Sequence, residues 1–561
     1  MKKEPRIISI HYSDWYSDGP ATIALLHQYL SQYNCSAILE TISSLSFVRG
    51  CANLLTERTD PKRVWRELVR RCFSPGEIRK KIGDDAPLIF SRPHLLFVAR
   101  ESLTACIEEG SDPRDEPHWG KVGRMLLISS EILCPSIQEE GALFADAVAR
   151  NMFIGTGIKN RVVRSTKMLD SLLLSYKETS PTSLDSFRAA VGITIPEYRD
   201  LCLTACLAGV VDSLGAGENM NVADKIIPAS TYEISHSRLV SAGFPATQVD
   251  CFLRSVSSDV EAARSCAHST SNLYDFALFR DKPVVQTAPN CYVLIDSSFL
   301  MDKLDKGPFF ALVALADKKN REAIFRLWGP AFEAFVNWLL KESIDARRDT
   351  LHASPRFEVN NENEEICDIA ICSGDNAVLI ECKGCYFKGD ALDSADPKRL
   401  NEEIEKKLAG NLDVRQGATQ LARSILRLYG CNSADNTKNP DLKNAKVIYP
   451  VLLVRDEIAD AFLLNNNMEQ IFRAAMGSSE VTVEVKSLFC LSIGVLQGLS
   501  AFLKKKNLPE LLNLRREKDP DLKLPAGAVF SRLLPGYGTP SKAVTDAFDV
   551  ISTPLLKRLG K

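Results

Sequence analysis

Apolar residues recur at intervals of three and four through the first half of the chain, from about residue 20 to 275. Segments such as ATIALLHQYLSQY, GRMLLISSEIL and MLDSLLLSY show this spacing, which is the period of an amphipathic α-helix. Turn-rich stretches at residues 111–117, 178–183 and 215–221 interrupt the pattern and are expected to separate groups of helices. The first half of the chain is therefore predicted to be mainly α-helical.

The pattern changes near residue 283. The segment PVVQTAPNCYVLID alternates β-favouring residues around an Ala-Pro-Asn turn, which predicts a short hairpin. The next segment, NREAIFRLWGPAFEAFVNWLLKES, has strong helical spacing. Gly329 and Pro330 within it are expected to kink this helix or to split it in two.

Short β-branched runs separated by polar turns follow that helix and predict a three-strand meander. The predicted elements are strands at 355–359, 366–372 and 377–384, a long polar helix over Pro397–Tyr429 and a strand at 445–454. A further β-rich run occupies residues 481–493, a helix reaches about Lys505, and KAVTDAFDVISTPLLKRL predicts a last helix.

The length of 561 residues exceeds what one core ordinarily holds, so we expect a multidomain protein. The predicted fold class is a mainly α-helical N-terminal half followed by an α/β core (α-βββ-α-β) and a mixed C-terminal extension. The expected domains are residues 1–295, residues 296–510 and a helical tail at 511–561.

Composition narrows the classes of function only slightly. Charged residues make up 25% of the chain and hydrophobic residues 45%, as in an ordinary folded protein. A net charge of -2 excludes a polycation, so any contact with nucleic acid must come from a local basic surface. No GxxxxGK[ST] loop is present, which disfavours an ATP motor. No run predicts a signal peptide or a membrane span, and we expect a cytoplasmic protein without membrane contact.

Sixteen cysteines are scattered among apolar neighbours and lack a CxxC…CxxC arrangement. Most are expected to be reduced and buried. Cys382 and Cys385 in ECKGC form the one close pair, and a structural zinc there is a minor alternative.

Three charged residues interrupt predicted strands that are otherwise apolar. Asp368 lies in CDIAI, and Glu381 and Lys383 lie in AVLIECKG. Side chains two apart on a strand share a face, so Glu381 and Lys383 should point to one side and Cys382 to the other. Adjacent antiparallel strands would bring Asp368 to the same edge. The alternative is that all three are solvated residues on the polar face of a half-buried sheet.

Carboxylates and backbone carbonyls are the oxygen ligands that Mg²⁺ takes, together with water and substrate phosphate. A metal held by Asp368 and Glu381 would lower the pKa of a water nucleophile, and Lys383 could orient that water or stabilise the phosphate oxygens. These residues therefore predict phosphodiester hydrolysis with Mg²⁺, for which Mn²⁺ could substitute.

Residues 320–455 resemble the PD-(D/E)XK phosphodiesterase superfamily, the restriction-endonuclease-like fold built from a helix, three antiparallel strands, a helix and a strand. Asp368 matches its first acid, although Cys367 stands where the family usually has proline. Glu381 and Lys383 match its Glu-x-Lys triplet. The resemblance implies that the backbone carbonyl of Cys382 is an extra metal ligand.

The resemblance also implies a catalytic and metal-ligating role for Glu333 on the first helix, where a surface glutamate is the alternative. Some members carry a glutamine after the third strand, and VRQGATQLARSI offers Gln416 and Gln420 on one helix face. Gln420 is the better match because Leu421 follows it. Ser424 stands where the Gln-x-x-x-Tyr motif of one branch has its tyrosine.

Basic residues around the same helix could contact a nucleic-acid backbone, with Gln416 as a further contact. They are Lys406, Lys407, Arg415 and Arg423. A solvated helix face is the more ordinary role for each of the four.

The leading hypothesis is a metal-dependent DNA endonuclease that acts on double-stranded DNA, as an effector of prokaryotic anti-phage defence or restriction. A non-catalytic DNA- or partner-binding scaffold that retains a nuclease-like core stays open, as does an RNase or a structure-specific resolvase. The candidate partners are a second copy of the chain and a separate ATPase or sensor subunit. The role of the helical half cannot be inferred from its residues.

Overall fold

The computed structural model is dominated by helices. It describes residues 12–17, 19–55, 68–74, 91–115, 119–133, 157–179, 182–215, 233–270, 272–304, 306–359, 362–389, 391, 396–410, 417–430 and 439–560. The helices up to residue 302 are α1 Ile23–Leu30, α2 Cys35–Leu55, α3 Arg92–Ala105, α4 Gly120–Leu133, α5 Ile158–Thr179, α6 Thr182–Val191, α7 Ile195–Gly215, α8 His236–Ser241, α9 Ala246–Val256, α10 Val260–Ser269, α11 Ala277–Asp281 and α12 Ser297–Asp302.

The later helices and all the strands follow the same order along the chain. The helices are α13 Lys306–Leu315, α14 Lys318–Ser343, α15 Pro397–Ile404, α16 Gly417–Tyr429, α17 Pro440–Lys443, α18 Leu464–Met476, α19 Ile493–Leu499, α20 Leu508–Lys518, α21 Ala526–Leu533 and α22 Lys542–Arg558. The strands are β1 Ser257–Asp259, β2 Val284–Ala288, β3 Cys291–Leu294, β4 Thr350–Ala353, β5 Arg356–Val359, β6 Glu362–Glu365, β7 Ile369–Ser373, β8 Asn376–Lys383, β9 Val447–Val454, β10 Glu484–Val485 and β11 Phe489–Ser492.

The chain divides into two compact units, each discontinuous in sequence. The first contains residues 1–138, 182–311 and 551–561, and the second contains residues 139–181 and 312–550. The expected division into 1–295, 296–510 and 511–561 differs from this one. Helix α5 explains part of the difference, because it packs against α14 inside the second unit, where the Lys167 ammonium lies 4.2 Å from the centre of the Trp338 ring. Helices pack by their faces and not by their order in the chain.

The first unit is mainly helical, as predicted, and contains a small sheet of order β1-β2-β3. The predicted hairpin is confirmed as the antiparallel pair β2 and β3, with Asn290 in the turn at a φ of 63°. Asp296, just after β3, accepts hydrogen bonds from Arg92 at 2.6 and 2.7 Å and caps α12 through the backbone N–H of Phe299 at 2.9 Å. This buried pair fastens the start of α3 to the end of the hairpin.

The second unit contains the larger sheet, whose order is β10-β9-β8-β7-β4, with β11 also paired to β9. Strands β4, β7 and β8 form an antiparallel meander, and β8 pairs in parallel with β9. A parallel pair needs a long crossover, which here includes α15 and α16. Six of the eight residues of β8 are buried, because α16 packs against this strand and so do α14 and α20. A charged side chain on β8 therefore stands in an apolar environment.

The predicted first strand of the meander was wrong. Residues 350–353 pair with β7, whereas residues 355–359 contribute β5, which pairs with β6 in a separate two-stranded sheet. Strands β5 and β6 are close neighbours in sequence, so a local hairpin forms without a long loop to close. The β-rich run at 481–493 is also two short strands, which pair with opposite ends of β9.

Helix α14 continues through Gly329 and Pro330 without being split, contrary to one of the two expected outcomes. Proline removes one N–H from the helix ladder. Buried side chains on both sides of it, including Ile324, Trp328 and Phe335, keep both halves against the core. Packing of an apolar face decides the conformation here.

The predicted helix over Pro397–Tyr429 is interrupted. Helix α15 passes into a π-helical turn over Glu405–Ala409, and α16 begins at Gly417. Gly417 has a φ of +56°, and a Cβ on it would lie 1.7 Å from the carbonyl oxygen of Leu408. The chain therefore passes so closely over the π turn that only glycine fits.

Among the helices that the structure describes, none is both long enough and apolar enough to cross a membrane.

Replacement of Gly417 by alanine is expected to destabilise the protein more than the matched change Gly477→Ala. Both glycines have positive φ, but a Cβ at Gly477 meets nothing within 4 Å. Backbone strain alone costs about 1–2 kcal/mol, and the clash at Gly417 adds roughly 1–3 kcal/mol. Urea unfolding of the two variants measures the difference. Equal losses would show that the contact with Leu408 does not constrain the fold.

Candidate active site

Asp368 lies one residue before β7 and not within it as expected. The β7–β8 register pairs Ile369 with Ile380, and continuing it by one residue sets Asp368 opposite Glu381. The Oδ2 atom of Asp368 accepts a 2.6 Å hydrogen bond from the backbone N–H of Cys382. The carboxylate is thereby turned toward the end of β8.

Glu381 is 2% exposed and has a hydrogen-bond partner on each carboxylate oxygen. Lys383 Nζ donates to Oε1 at 2.8 Å, and Gln420 Nε2 donates to Oε2 at 3.0 Å. The prediction that Glu381 and Lys383 share a face of β8 is confirmed by this contact. Gln420 reaches the pair from α16, the helix that packs against β8.

Glu333 lies on α14, which is held close to the end of β8 where Gly329 approaches Gly384. A Cβ on Gly384 would lie 3.3 Å from the Cα of Gly329 and 3.1 Å from the Cβ of Phe332. The helix therefore crosses the end of β8 almost backbone to backbone. Oε1 of Glu333 points back along the helix, 3.7 Å from where a Cβ of Gly329 would be.

Three carboxyl groups at this edge hold their protons more tightly than usual. Burial raises the pKa of Asp368 to about 6, although the hydrogen bond from the Cys382 N–H and the charge of Lys383 both lower it. Burial and the charge of Asp368 raise the pKa of Glu333 to about 7. Burial raises the pKa of Glu381 to about 8, although the charge of Lys383 opposes the shift. Burial is the largest cause of each shift, so the environment disfavours the charged form of all three carboxyl groups.

Lys383 itself stays protonated. Burial alone would lower its pKa, but the neighbouring carboxylates of Glu381 and Asp368 outweigh burial and raise it. An ammonium group is thus present at the strand end across the neutral range of pH.

Glu365 is a further acid that the sequence reasoning missed. It is the last residue of β6, and its charge raises the pKa values of Asp368, Glu333 and Glu381. The signal was present in ENEEICD, where a glutamate stands three residues before Asp368. A strand assignment that ended before this segment gave no reason to place it at the site.

A buried arginine next to the site was also missed. The Arg455 backbone N–H donates to the carbonyl of Lys383 at 3.0 Å, and the guanidinium carbon lies 4.8 and 4.9 Å from the centres of the Trp328 and Tyr386 rings. These three side chains connect α14 with the ends of β8 and β9. Residues from three distant segments make this cluster, so no local pattern marks it.

The predicted nucleic-acid contacts are only partly described. Arg415 and Gln416 lie outside the described residues. Lys406 is exposed on the π turn, whereas Lys407 and Arg423 are half-buried. The charge of Lys407 lowers the pKa of Cys385, although burial raises it overall, to about 11. The charge of Lys407 thus acts on Cys385, which lies two residues after the end of β8.

The side-chain oxygen atoms at the site are ligands of the kind that a hard cation prefers. Asp368 and Glu381 supply carboxylate oxygens, and Glu333 stands beside them. In the described part of the chain, no three His, Cys, Asp or Glu side chains are grouped as a metal cage, so a cation here would rely on backbone carbonyl and water for its remaining ligands. Burial holds the pKa of the Cys382 thiol well above its usual value, so without a metal this thiol is protonated at neutral pH.

Comparisons with protein-family models, curated proteins and solved structures found no match to this chain.

Binding of a divalent metal is expected to strengthen as the pH rises from about 5.5 to about 8.5. Carboxyl groups with pKa values of about 6, 7 and 8 hold protons at the lower pH, and a metal must displace those protons. Calorimetric titration with Mn²⁺ at several pH values, in buffers of different ionisation enthalpy, measures affinity and proton release together. Affinity independent of pH would contradict the assignment of these carboxyls as ligands.

Proposed function

We propose that this protein is a metal-dependent nuclease that hydrolyses phosphodiester bonds in DNA. The observation that carries the proposal is the pair of hydrogen bonds on Glu381, from Lys383 at 2.8 Å and from Gln420 at 3.0 Å, with Asp368 across the register. Burying a carboxylate and an ammonium in a sheet costs several kcal/mol per ion unless they are well paired. Asp368, Glu333 and Glu381 outnumber Lys383, so a bound cation would offset the remaining negative charge when these acids are ionised.

The element order around the site supports a restriction-endonuclease-like core. Helix α14 precedes the meander of β4, β7 and β8, and α16 precedes the parallel strand β9. Asp368 and Glu381 meet where β7 begins and β8 ends. Asp368, Glu381 and Lys383, which resemble the PD-(D/E)XK motif, lie just before β7 and at the end of β8.

Asp368, Glu381 and the carbonyl of Cys382 would hold Mg²⁺ or Mn²⁺. The metal would supply a Lewis acid for a phosphate oxygen. Glu333, with a pKa of about 7, either completes the ligand set or accepts the proton of the attacking water. Lys383 would stabilise negative charge on the phosphate oxygens, while Gln420 fixes the second oxygen of Glu381.

Hydrolysis at this site would form a bond from the water oxygen to phosphorus and break one phosphodiester P–O bond. The proton lost by water goes to a carboxylate or to solvent, and the leaving oxygen takes up a proton. No redox partner is needed. An RNase or a structure-specific resolvase would use the same chemistry, and a panel of duplex DNA, single strands, four-way junctions and RNA distinguishes these substrates.

A double-stranded substrate suits a protein that acts as a homodimer, since two copies can cut two strands. A separate ATPase or sensor subunit fits a nuclease held inactive until a trigger arrives. A role in anti-phage defence or restriction belongs to the same proposal. Each of these partners is tested by the mass of the purified assembly and by its activity with and without nucleotide.

Purified protein is expected to nick supercoiled plasmid with Mg²⁺ and to lose that activity in EDTA. Asp368→Asn and Lys383→Met should each lower the rate by about 100-fold or more, because each removes a charge that the transition state needs. The measured quantity is the initial rate of nicking under single-turnover conditions.

Matched controls are available on the surface of the same sheet. Lys446 and Asp375 form an exposed ion pair at 2.8 Å, so Asp375→Asn and Lys446→Met change the same charges away from the site. They should leave the rate within twofold. Equal nicking by the site variants and the wild type would overturn the proposed function.

A further inference from the structure

The first turns of α14 stand almost entirely in solvent. From Asp317 to Arg326, every side chain except that of Ile324 is exposed. Lys318, Lys319 and Arg326 are among these exposed residues. The three basic residues, called here the basic face of α14, make no ion pair or side-chain hydrogen bond with any residue that the structure describes. A helix so little covered by its own unit has surface available for a partner.

The basic face leads to the candidate active site. Lys319, Arg326 and Glu333 follow one another at intervals of seven residues, and seven residues of an α-helix return to nearly the same face after about 10 Å of rise. Arg326 is therefore about 10 Å, and Lys319 about 21 Å, along the helix from Glu333.

Gly329 and Pro330 stand between Arg326 and Glu333 on this helix, and Pro330 is exposed. Outside the backbone of the helix itself, a Cβ at Gly329 would meet only Oε1 of Glu333 within 4 Å among the described residues. An extended ligand can therefore lie along the helix from the acidic site to the exposed cations.

Charge and spacing indicate which ligand fits. The basic face has three cations, with Glu322 as the one exposed acid between Lys319 and Arg326. One strand of a duplex presents a phosphate every 3.4 Å along its axis, so distances of about 10 and 21 Å correspond to about three and six nucleotides. Lys319 and Arg326 follow at seven-residue intervals from Glu333 on one helix face. This arrangement of positive charges fits the regularly spaced phosphates of a nucleic-acid backbone.

We infer that the basic face of α14 binds the phosphate backbone of duplex DNA on one side of the cleavage site and so sets the register of the substrate. This inference rests on the proposed function. It assigns the contacts to Lys318, Lys319 and Arg326, which stand on a different element from Lys406, Lys407 and Arg423. The contacts are to phosphates, so they position the duplex and do not read its sequence.

The test measures binding of a fluorescein-labelled duplex of about 30 base pairs by anisotropy, in EDTA so that no cleavage occurs, over a series of salt concentrations. Lys319→Glu combined with Arg326→Glu should weaken binding at least tenfold at moderate salt. It should also reduce the slope of log affinity against log salt by about two, since each phosphate contact contributes about 0.9. Glu322→Lys should tighten binding.

The matched control reverses two exposed lysines elsewhere in the same unit, Lys505→Glu with Lys506→Glu. It changes the net charge equally and should alter the affinity less than twofold. Glutamate near a helix N-terminus is favourable, so the variant at Lys319 is expected to fold, and thermal melting checks both double variants.

Equal losses in the two double variants, or no loss in either, would overturn the inference. Normal cleavage of plasmid by the Lys319→Glu, Arg326→Glu variant with unchanged affinity would reject this surface and leave the proposed function standing. A selective loss of DNA binding in a protein that cleaves nothing with Mg²⁺ would reject the proposed function and keep the surface. Conversion of a dimer to a monomer by the variant, with DNA affinity unchanged, would assign the face to a second copy and overturn the inference.

Discussion

The candidate site depends on how the buried carboxylate of Glu381 is stabilised. Glu381 is 2% exposed on a strand with helices packed on it. Its two oxygens take hydrogen bonds from Lys383 and Gln420, and its pKa is raised to about 8. An apolar side chain of similar size would satisfy this position at lower cost. The sheet thus gives up stability at the place where Glu381 lies beside Asp368 and Lys383.

Backbone constraints bring the acids together. The β7–β8 register sets Asp368 across from Glu381, and the close approach of Gly329 to Gly384 brings the helix of Glu333 to the strand end. A side chain at Gly384 would press on Phe332 and push α14 away from β8. Arg455, stacked near Trp328 and Tyr386, joins the same helix to the ends of both central strands. Precise placement of the acids therefore relies on residues that have no acidic chemistry themselves.

Some of this could be predicted from the sequence, because it depends on short-range patterns. Alternation within AVLIECKG placed Glu381 and Lys383 on one face, and helical spacing around Gln420 placed it on a helix after the strand. The first strand of the meander was misassigned. TLHA and RFEV each contain one β-branched residue, Thr350 and Val359, so composition does not distinguish them. The pairing partner of such a segment is set by the whole sheet. Glu365, Arg455 and the discontinuous units depend on contacts between distant segments, which no local window contains.

The central claim is that the edge formed by Asp368, Glu381 and Lys383 is a cation site for phosphodiester hydrolysis. Anomalous diffraction from crystals soaked in Mn²⁺ at about pH 8 tests it most directly. The account predicts one strong peak at about 2.0–2.3 Å from carboxylate oxygens of both Asp368 and Glu381, with Lys383 displaced from Oε1 of Glu381. No peak at saturating Mn²⁺, with the Lys383–Glu381 contact intact, would contradict it.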